Sequence, residues 1–345
     1  MSDPSIESLS EKKPEKHRRV FKQDQRRAIR YRLSVALTAT VSWLFWIMPG
    51  FLRSKISDMM GDLFFRFAPT YRLNAMDNVR HVLPDASDLD VEMVVRSICR
   101  QSVYNFRDLL LIPHVERGAI VHPDPLIEGS WSYLDDALAM GKGAIIVTAH
   151  VGPFDYIMQM LHQRGYKMTS VTGRTTSRFV FDGVTWLRRR HNASIVEATP
   201  SGIRKVFQVL KRGECAAFLG DFDYFGTGMK VTIFGHAASI PQGPVRIARD
   251  TGASIVPLFA RRIGNRQALV LHKPFVVEKT RDMEADFARG LAKLVESLEY
   301  GIGRTPDQWV MFQKMWPLAP ISPSSPAPPA ETNLRNLEPV TRTGT

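Results

Sequence analysis

His150 and Asp155 lie five positions apart in the run His150-Val151-Gly152-Pro153-Phe154-Asp155, and a histidine with a carboxylate is a pairing that can move a proton. A neutral imidazole takes a proton from a hydroxyl near pH 7. A carboxylate on its other nitrogen fixes the tautomer and stabilises the imidazolium as it forms. An uncharged run at 143–149 precedes the histidine, and a helix-like stretch at 156–164 follows it. A buried strand would therefore end by presenting His150 at its carboxyl edge, with Asp155 as its orienter in the first turn of the next helix. Gly152 lets the backbone approach a substrate closely, and Pro153 suits a first helical position, where no amide hydrogen is needed. The competing reading of the same six residues is a histidine that ends a strand beside an aspartate that caps a helix.

The elements that must hold these groups are visible as a change of pattern after position 141. Short apolar runs at 144–149, 167–172, 194–197, 216–220, 231–234, 254–260 and 268–277 alternate with helical spacing at 154–163, 178–190, 203–212 and 245–250. This alternation predicts an α/β fold, with a mixed, mostly parallel central sheet flanked by helices. Ligands of such sheets bind beyond the carboxyl ends of the strands, which is where His150 falls. The run at 216–220 delivers Asp221 and Asp223 to the same edge, and the run at 167–172 delivers Gly173 and Arg174. Asp221 and Asp223 read equally as turn formers or as orienters of a substrate or arginine. Arg174 and Arg188 read as a solvated basic face or as a clamp for phosphate, for which a planar guanidinium is suited. His191 and His236 have no acid at useful spacing and read as structural or solvated, and the aromatic residues Trp309, Phe312 and Trp316 read as packing.

A formal charge of +12 and a pI near 9.8 imply an anionic partner. Between positions 12 and 32 ten Lys or Arg residues stand against Glu15 and Asp24, and 33–52 then runs without a charge. Twenty residues at 1.5 Å each reach about 30 Å, the thickness of a bilayer core. Ser34, Thr38 and Ser42 recur at four-residue spacing, Trp43 and Trp46 suit the headgroup level, and Pro49-Gly50 would bend or end a helix. An interfacial or re-entrant anchor is therefore favoured over a true span, with a buried core helix as the third reading. Helical spacing continues at 54–67 and 90–111. Cys99 and Cys215 stand in apolar surroundings without pairing or metal-type spacing, which excludes a disulfide framework. The sequence has no G-x-S-x-G elbow, no phosphate-binding G-x4-G-K loop and no clustered metal ligands. From Pro317 onward seven prolines with Ser, Ala and Thr predict a disordered tail.

Taken together these motifs resemble the bacterial lysophospholipid acyltransferase-like superfamily. The nearest branch is that of the lipid A late (lauroyl and myristoyl) acyltransferases and the phosphatidylinositol mannoside acyltransferases. The carriers, in order, are Asn78-Val79-Arg80-His81-Val82-Leu83-Pro84 after the apolar segment, the H-x4-D core, and Val171-Thr172-Gly173-Arg174. They continue with Arg188-Arg189-Arg190, Gly220-Asp221-Phe222-Asp223-Tyr224, Phe234-Gly235-His236-Ala237, Pro241-x-Gly243-Pro244 and 251–257. Their collinear order over 30–316 is more specific than any one motif. Pro153 departs from the pattern, since many members carry Asn there.

The resemblance implies transfer of a fatty acyl chain from a thioester on acyl carrier protein or coenzyme A to a hydroxyl of a membrane glycolipid or phospholipid, such as a lipid A precursor. It implies work at the cytoplasmic face of the inner membrane, on an anionic surface, with no cofactor beyond the acyl donor, no metal and no nucleic acid. His150 and Asp155 become the catalytic pair, and Gly152, Arg174, Arg188, Asp221, Asp223 and Gly243 the substrate-binding set. Backbone N–H groups at the start of the helix after Gly152 are the expected oxyanion donors. The same dyad would serve a thioesterase or lipid hydrolase, and the basic arm alone would serve a non-catalytic membrane adaptor. The expected organisation is a basic arm at 1–32, membrane-anchoring helices at 33–67, the α/β acyltransferase domain at 68–316 and the tail at 317–345.

Overall fold

Residues 144–148 are uncharged, and all but Ala144 are β-branched, as suits the strand they form, Ala144–Thr148, which is buried along its whole length. The computed structural model describes residues 12–114, 126–173, 177–189, 194–264 and 266–316, with side chains from residue 25 onward. Four helices come first: α1 (Lys12–Ile47), α2 (Gly50–Phe67), α3 (Pro69–Val82) and α4 (Asp88–Leu111). There follow β1 (Leu126–Glu128), α5 (Ser132–Ala139), β2 (Ala144–Thr148), α6 (Phe154–Gln163), β3 (Met168–Thr172), α7 (Arg178–Arg188) and β4 (Ser194–Glu197). The second half holds α8 (Pro200–Lys211), β5 (Cys215–Leu219), β6 (Met229–Ile233), β7 (His236–Ile240), α9 (Gly243–Thr251), β8 (Ser254–Ile263), β9 (Arg266–Leu271) and α10 (Met283–Gly303).

Seven strands form one sheet in the order β1-β9-β8-β2-β5-β3-β4, and β6 with β7 forms a separate antiparallel hairpin. Every pair in the large sheet is parallel except β8 with β9, so the mixed, mostly parallel sheet expected from the alternation is present. Side chains alternate across it as a period of two requires. Ile145 and Val147 join Val245, Leu291, Leu294 and Leu298 in one core, while Ala144 and Ile146 join Leu134, Ile157 and Leu161 in the other. Helices thus cover both faces, and β2 lies at the centre.

The helix α10 carries Phe287, Leu291, Leu294, Leu298 and Ile302 on its buried face, a period that the sequence holds but that the reading above did not use. The run expected as one strand at 268–277 divides instead. β9 ends at Leu271, and beyond Pro274, which can donate no ladder hydrogen bond, Phe275 makes a lone bridge to Ile255.

At the front of the chain α1 runs without a break across position 32, and Pro49 separates it from α2. Ser34 and Ser42 are fully buried: the Ser34 hydroxyl donates to the Phe179 carbonyl (2.5 Å) and that of Ser42 to the Leu110 carbonyl (2.6 Å). Gly183 on α7 faces Thr38 and Ser34 so closely that a Cβ there would collide with the Thr38 hydroxyl. The Ser/Thr spacing is therefore the seam along which α1 packs on α7 and α4. The rest of the surface of these first helices exposes Leu33, Leu37, Trp43, Leu44, Phe51, Leu63 and Phe67. Among the described residues no helix is long and apolar enough to cross a membrane. The 317–345 tail lies outside the described residues.

Candidate active site

In the parallel pairing of β2 with β5, Thr148 stands opposite Leu219. The Gly220 N–H continues the ladder to the Thr148 carbonyl (2.8 Å), so two residues further on His150 and Asp221 emerge side by side at the carboxyl edge. The His150 ring Nδ1 lies 2.9 Å from Asp221 Oδ1, and the His150 backbone N–H donates to Asp221 Oδ2 (2.8 Å). Because a carboxylate can only accept, Nδ1 carries the proton and Nε2 is the basic nitrogen. No protein hydrogen bond to Nε2 is recorded among the described residues. The ring stands edge-on to Phe154 and Tyr224, with centroids 5.3 and 6.1 Å away.

Asp221 is completely buried. Burial pushes its carboxyl up, but the His150 charge, the two His150 N–H donors and the indole N–H of Trp309 together outweigh this and hold it below the usual carboxylate value. Tyr224, beside the pair, is pushed up to about 12, first by burial and then by the charge on Asp221.

The loop that carries His150 is held from two sides. Trp309 pairs with Val151 as an antiparallel bridge, the Val310 N–H donates to the His150 carbonyl (2.8 Å), and the Gly152 N–H donates to the Gln308 carbonyl (2.9 Å). From α4, the Asn105 side-chain amide donates to the Gly152 carbonyl (2.7 Å). Gly152 has φ +55°, and a Cβ there would run into the Ala260 carbonyl, so the position admits only glycine without strain.

Asp155 does not orient His150. Its carboxylate is taken by Arg188, through Nε to Oδ1 (2.7 Å) and Nη2 to Oδ2 (3.2 Å), a bidentate pair across the α6–α7 interface. The orienter is Asp221, 71 residues away in sequence. The physical reason is direction: Asp155 lies in the first turn of α6, where Arg188 occupies both its oxygens, whereas Asp221 arrives on the neighbouring strand in register. The Asp155–Arg188 pair borders a cleft between α6 and the sheet that is lined by Ile146, Ile157, Met158, Met168 and Phe218.

The remaining expected residues are scattered. Arg174 and His191 lie outside the described residues. Asp223 accepts from the N–H groups of Thr227 and Gly228 and from the Ser239 hydroxyl, so it shapes the loop before β6. Gly243 begins α9, exposed and with open space around it. His236 is at an edge contact with His81, which in turn stacks on Trp316. At the start of α6, where oxyanion donors are expected, the N–H groups of Phe154 and Tyr156 are already bonded to the carbonyls of Gly152 and Pro153. Sequence reading missed Asn105, Gln308 and the N–H of Trp309, and nothing in local spacing marks them, because their contacts with the site span 47 to 156 residues of chain.

The model of the bacterial lipid A biosynthesis acyltransferase family matches residues 20–317. Over 216 residues the chain is 26% identical to a phosphatidylinositol mannoside acyltransferase of Mycobacterium tuberculosis, covering 61% of this chain and 66%, just under two thirds, of that relative. It is 23% identical over 222 residues to a lipid A biosynthesis acyltransferase of Haemophilus influenzae, covering 62% of this chain and 67% of the relative. Among solved structures, the 1-acyl-sn-glycerophosphate acyltransferase of Thermotoga maritima is similar at a TM-score of 0.33 and 14% identity, covering 71% of this chain and 95% of that one.

Proposed function

The chain belongs to the bacterial lipid A biosynthesis acyltransferase family, and we propose that it moves a fatty acyl chain from a thioester, on acyl carrier protein or coenzyme A, to a hydroxyl of a membrane glycolipid or phospholipid. The observation that carries this reading is the His150 ring, held through Nδ1 by a buried carboxylate, with no hydrogen bond from the described residues to its basic Nε2. Nε2 removes the acceptor's hydroxyl proton as the oxygen attacks the thioester carbonyl. The tetrahedral adduct then expels the thiolate, which takes the proton back from Nε2, so an ester and a free thiol result without an acyl-enzyme. General-base help of this kind is worth about 10²–10⁴-fold.

Asp155 serves the site through Arg188. With Nε and Nη2 fixed on Asp155, the guanidinium keeps Nη1 for an anionic group of the acceptor, and the apolar cleft beneath suits an acyl chain. The exposed apolar residues of α1 and α2 and the net charge of +12 support docking on an anionic surface, for which we propose the cytoplasmic face of the inner membrane.

The test is transfer of labelled acyl groups from acyl carrier protein or coenzyme A into membrane lipid. His150→Ala and Asp221→Asn should each lower it by about 10²–10⁴-fold with vesicle binding intact, and wild-type turnover in either would reject the dyad. Release of free acid that added lipid never diverts would mean hydrolysis instead.

A further inference from the structure

We infer that Trp309 is a positioning residue for the proton transfer: its indole N–H fixes the rotamer of the Asp221 carboxylate and thereby the tautomer and aim of the His150 ring. This deepens the acyl-transfer reading and rests on it. Trp309 Nε1 donates to Asp221 Oδ2 at 2.9 Å, and both residues are buried, at 1% and 0% exposure. The carboxylate has three N–H donors, two of which belong to His150 itself. Trp309 therefore supplies the anchor that does not move with the histidine. At a carboxylate with no exposure to bulk solvent, an oxygen that loses a donor is left short of a hydrogen bond, so the group turns or is neutralised.

The indole is itself tightly placed. Its backbone pairs with Val151, the residue after His150, and its ring stands edge-on to Trp316 at 6.2 Å. The segment that closes over the catalytic loop thus delivers a polar group to the dyad as well as covering it. A purely apolar ring would fill the space but leave Asp221 Oδ2 with the His150 backbone N–H alone.

The experiment uses the full chain with Trp309→Phe, and with 3-benzothienylalanine incorporated at 309, which keeps the bicyclic shape and lacks only the N–H. For each protein, kcat, KM and the acid limb of the pH profile are measured by acyl transfer, and the low-field proton resonance of the His150–Asp221 hydrogen bond by NMR. Loss of a hydrogen bond to a charged group predicts a fall in kcat of about 10- to 100-fold with KM within about twofold. The acid limb should move by about half a pH unit or more, because His150 and Asp221 share a hydrogen bond and titrate as a pair, and a carboxylate stripped of one donor pulls harder on the imidazole proton. The low-field resonance should shift or broaden. If the benzothienyl protein keeps kcat within about twofold, or loses activity while the acid limb and the resonance stay in place, Trp309 acts by packing alone and the inference is overturned. If the wild-type protein makes no ester but the resonance still responds to loss of the N–H, acyl transfer is what fails, and the hold of Trp309 on Asp221 stands.

Discussion

The carboxyl edge of the sheet and the first helices of the chain break the ordinary burial pattern in opposite directions. At the edge, the charged Asp221 is sealed from water and given three donors. Across α1 and α2, phenylalanine, leucine and tryptophan side chains face outward, with Phe51 and Phe67 69% and 74% exposed. Both arrangements cost stability in water, since a buried charge gives up its hydration and an exposed aromatic gives up its burial. On the reading proposed above, the two regions divide the work: one would hold reacting atoms, the other would hold a place on the membrane.

The sharpest way to break that division is Asp221→Asn. It should reduce acyl transfer by about 10²–10⁴-fold through kcat while vesicle binding stays unchanged. Asp155→Asn should differ in kind, raising KM for the acceptor as Arg188 loses its anchor. A kcat loss confined to Asp155→Asn would return the orienting role to that residue. Next in size is Gly152→Ala, which forces a left-handed residue against the Ala260 carbonyl and should cost at least about 2 kcal/mol in urea unfolding. Unaltered stability there would mean the loop is looser than its hydrogen bonds imply. At the opposite region, Phe51→Ser with Phe67→Ser should weaken cosedimentation with anionic vesicles about tenfold and leave unfolding stability within about 0.5 kcal/mol.

The smallest effect separates a buried ion pair with no chemistry from the dyad. Asp286 is buried on α10. Burial pushes its carboxyl up, but the Thr280 hydroxyl, the Arg249 guanidinium and the Thr280 N–H bring it down to about 2. Its folded value is below its unfolded one, so its stabilisation is complete above about pH 4 and is lost as the pH falls towards 2. Unfolding free energy measured between pH 5 and 2 should fall less steeply in Asp286→Asn than in the wild type.

Much of this architecture is legible in the residues. Uncharged runs at 144–148 and 254–260 mark β2 and most of β8, and the alternation of such runs with helices gives the sheet. His150 is readable because its strand, glycine and proline are contiguous with it. Its partner is not, because strand order decides which carboxylate meets the ring, and β5 sits between β2 and β3 although β3 follows β2 in sequence. Asp155 is close in number and turned to Arg188. Asp221 is distant in number and adjacent in register. The Ser34, Thr38 and Ser42 spacing is visible for the same reason as any helical stripe, but a stripe does not say whether lipid or another helix lies against it. Here it is α7. Trp309 is hidden most completely, since an indole reads as bulk until a carboxylate is found at its nitrogen.

The place of β5 in the sheet has a consequence for how the protein is made. A nascent chain that has produced only β2, α6 and β3 holds the histidine but not the acid. It has to keep a gap between two strands until residues some seventy positions later arrive to fill it. The last anchor arrives later still, when Trp309 leaves the ribosome. On the reading proposed above, a copy cut short of Asp221 or Trp309 would carry an imidazole whose proton position is not yet set.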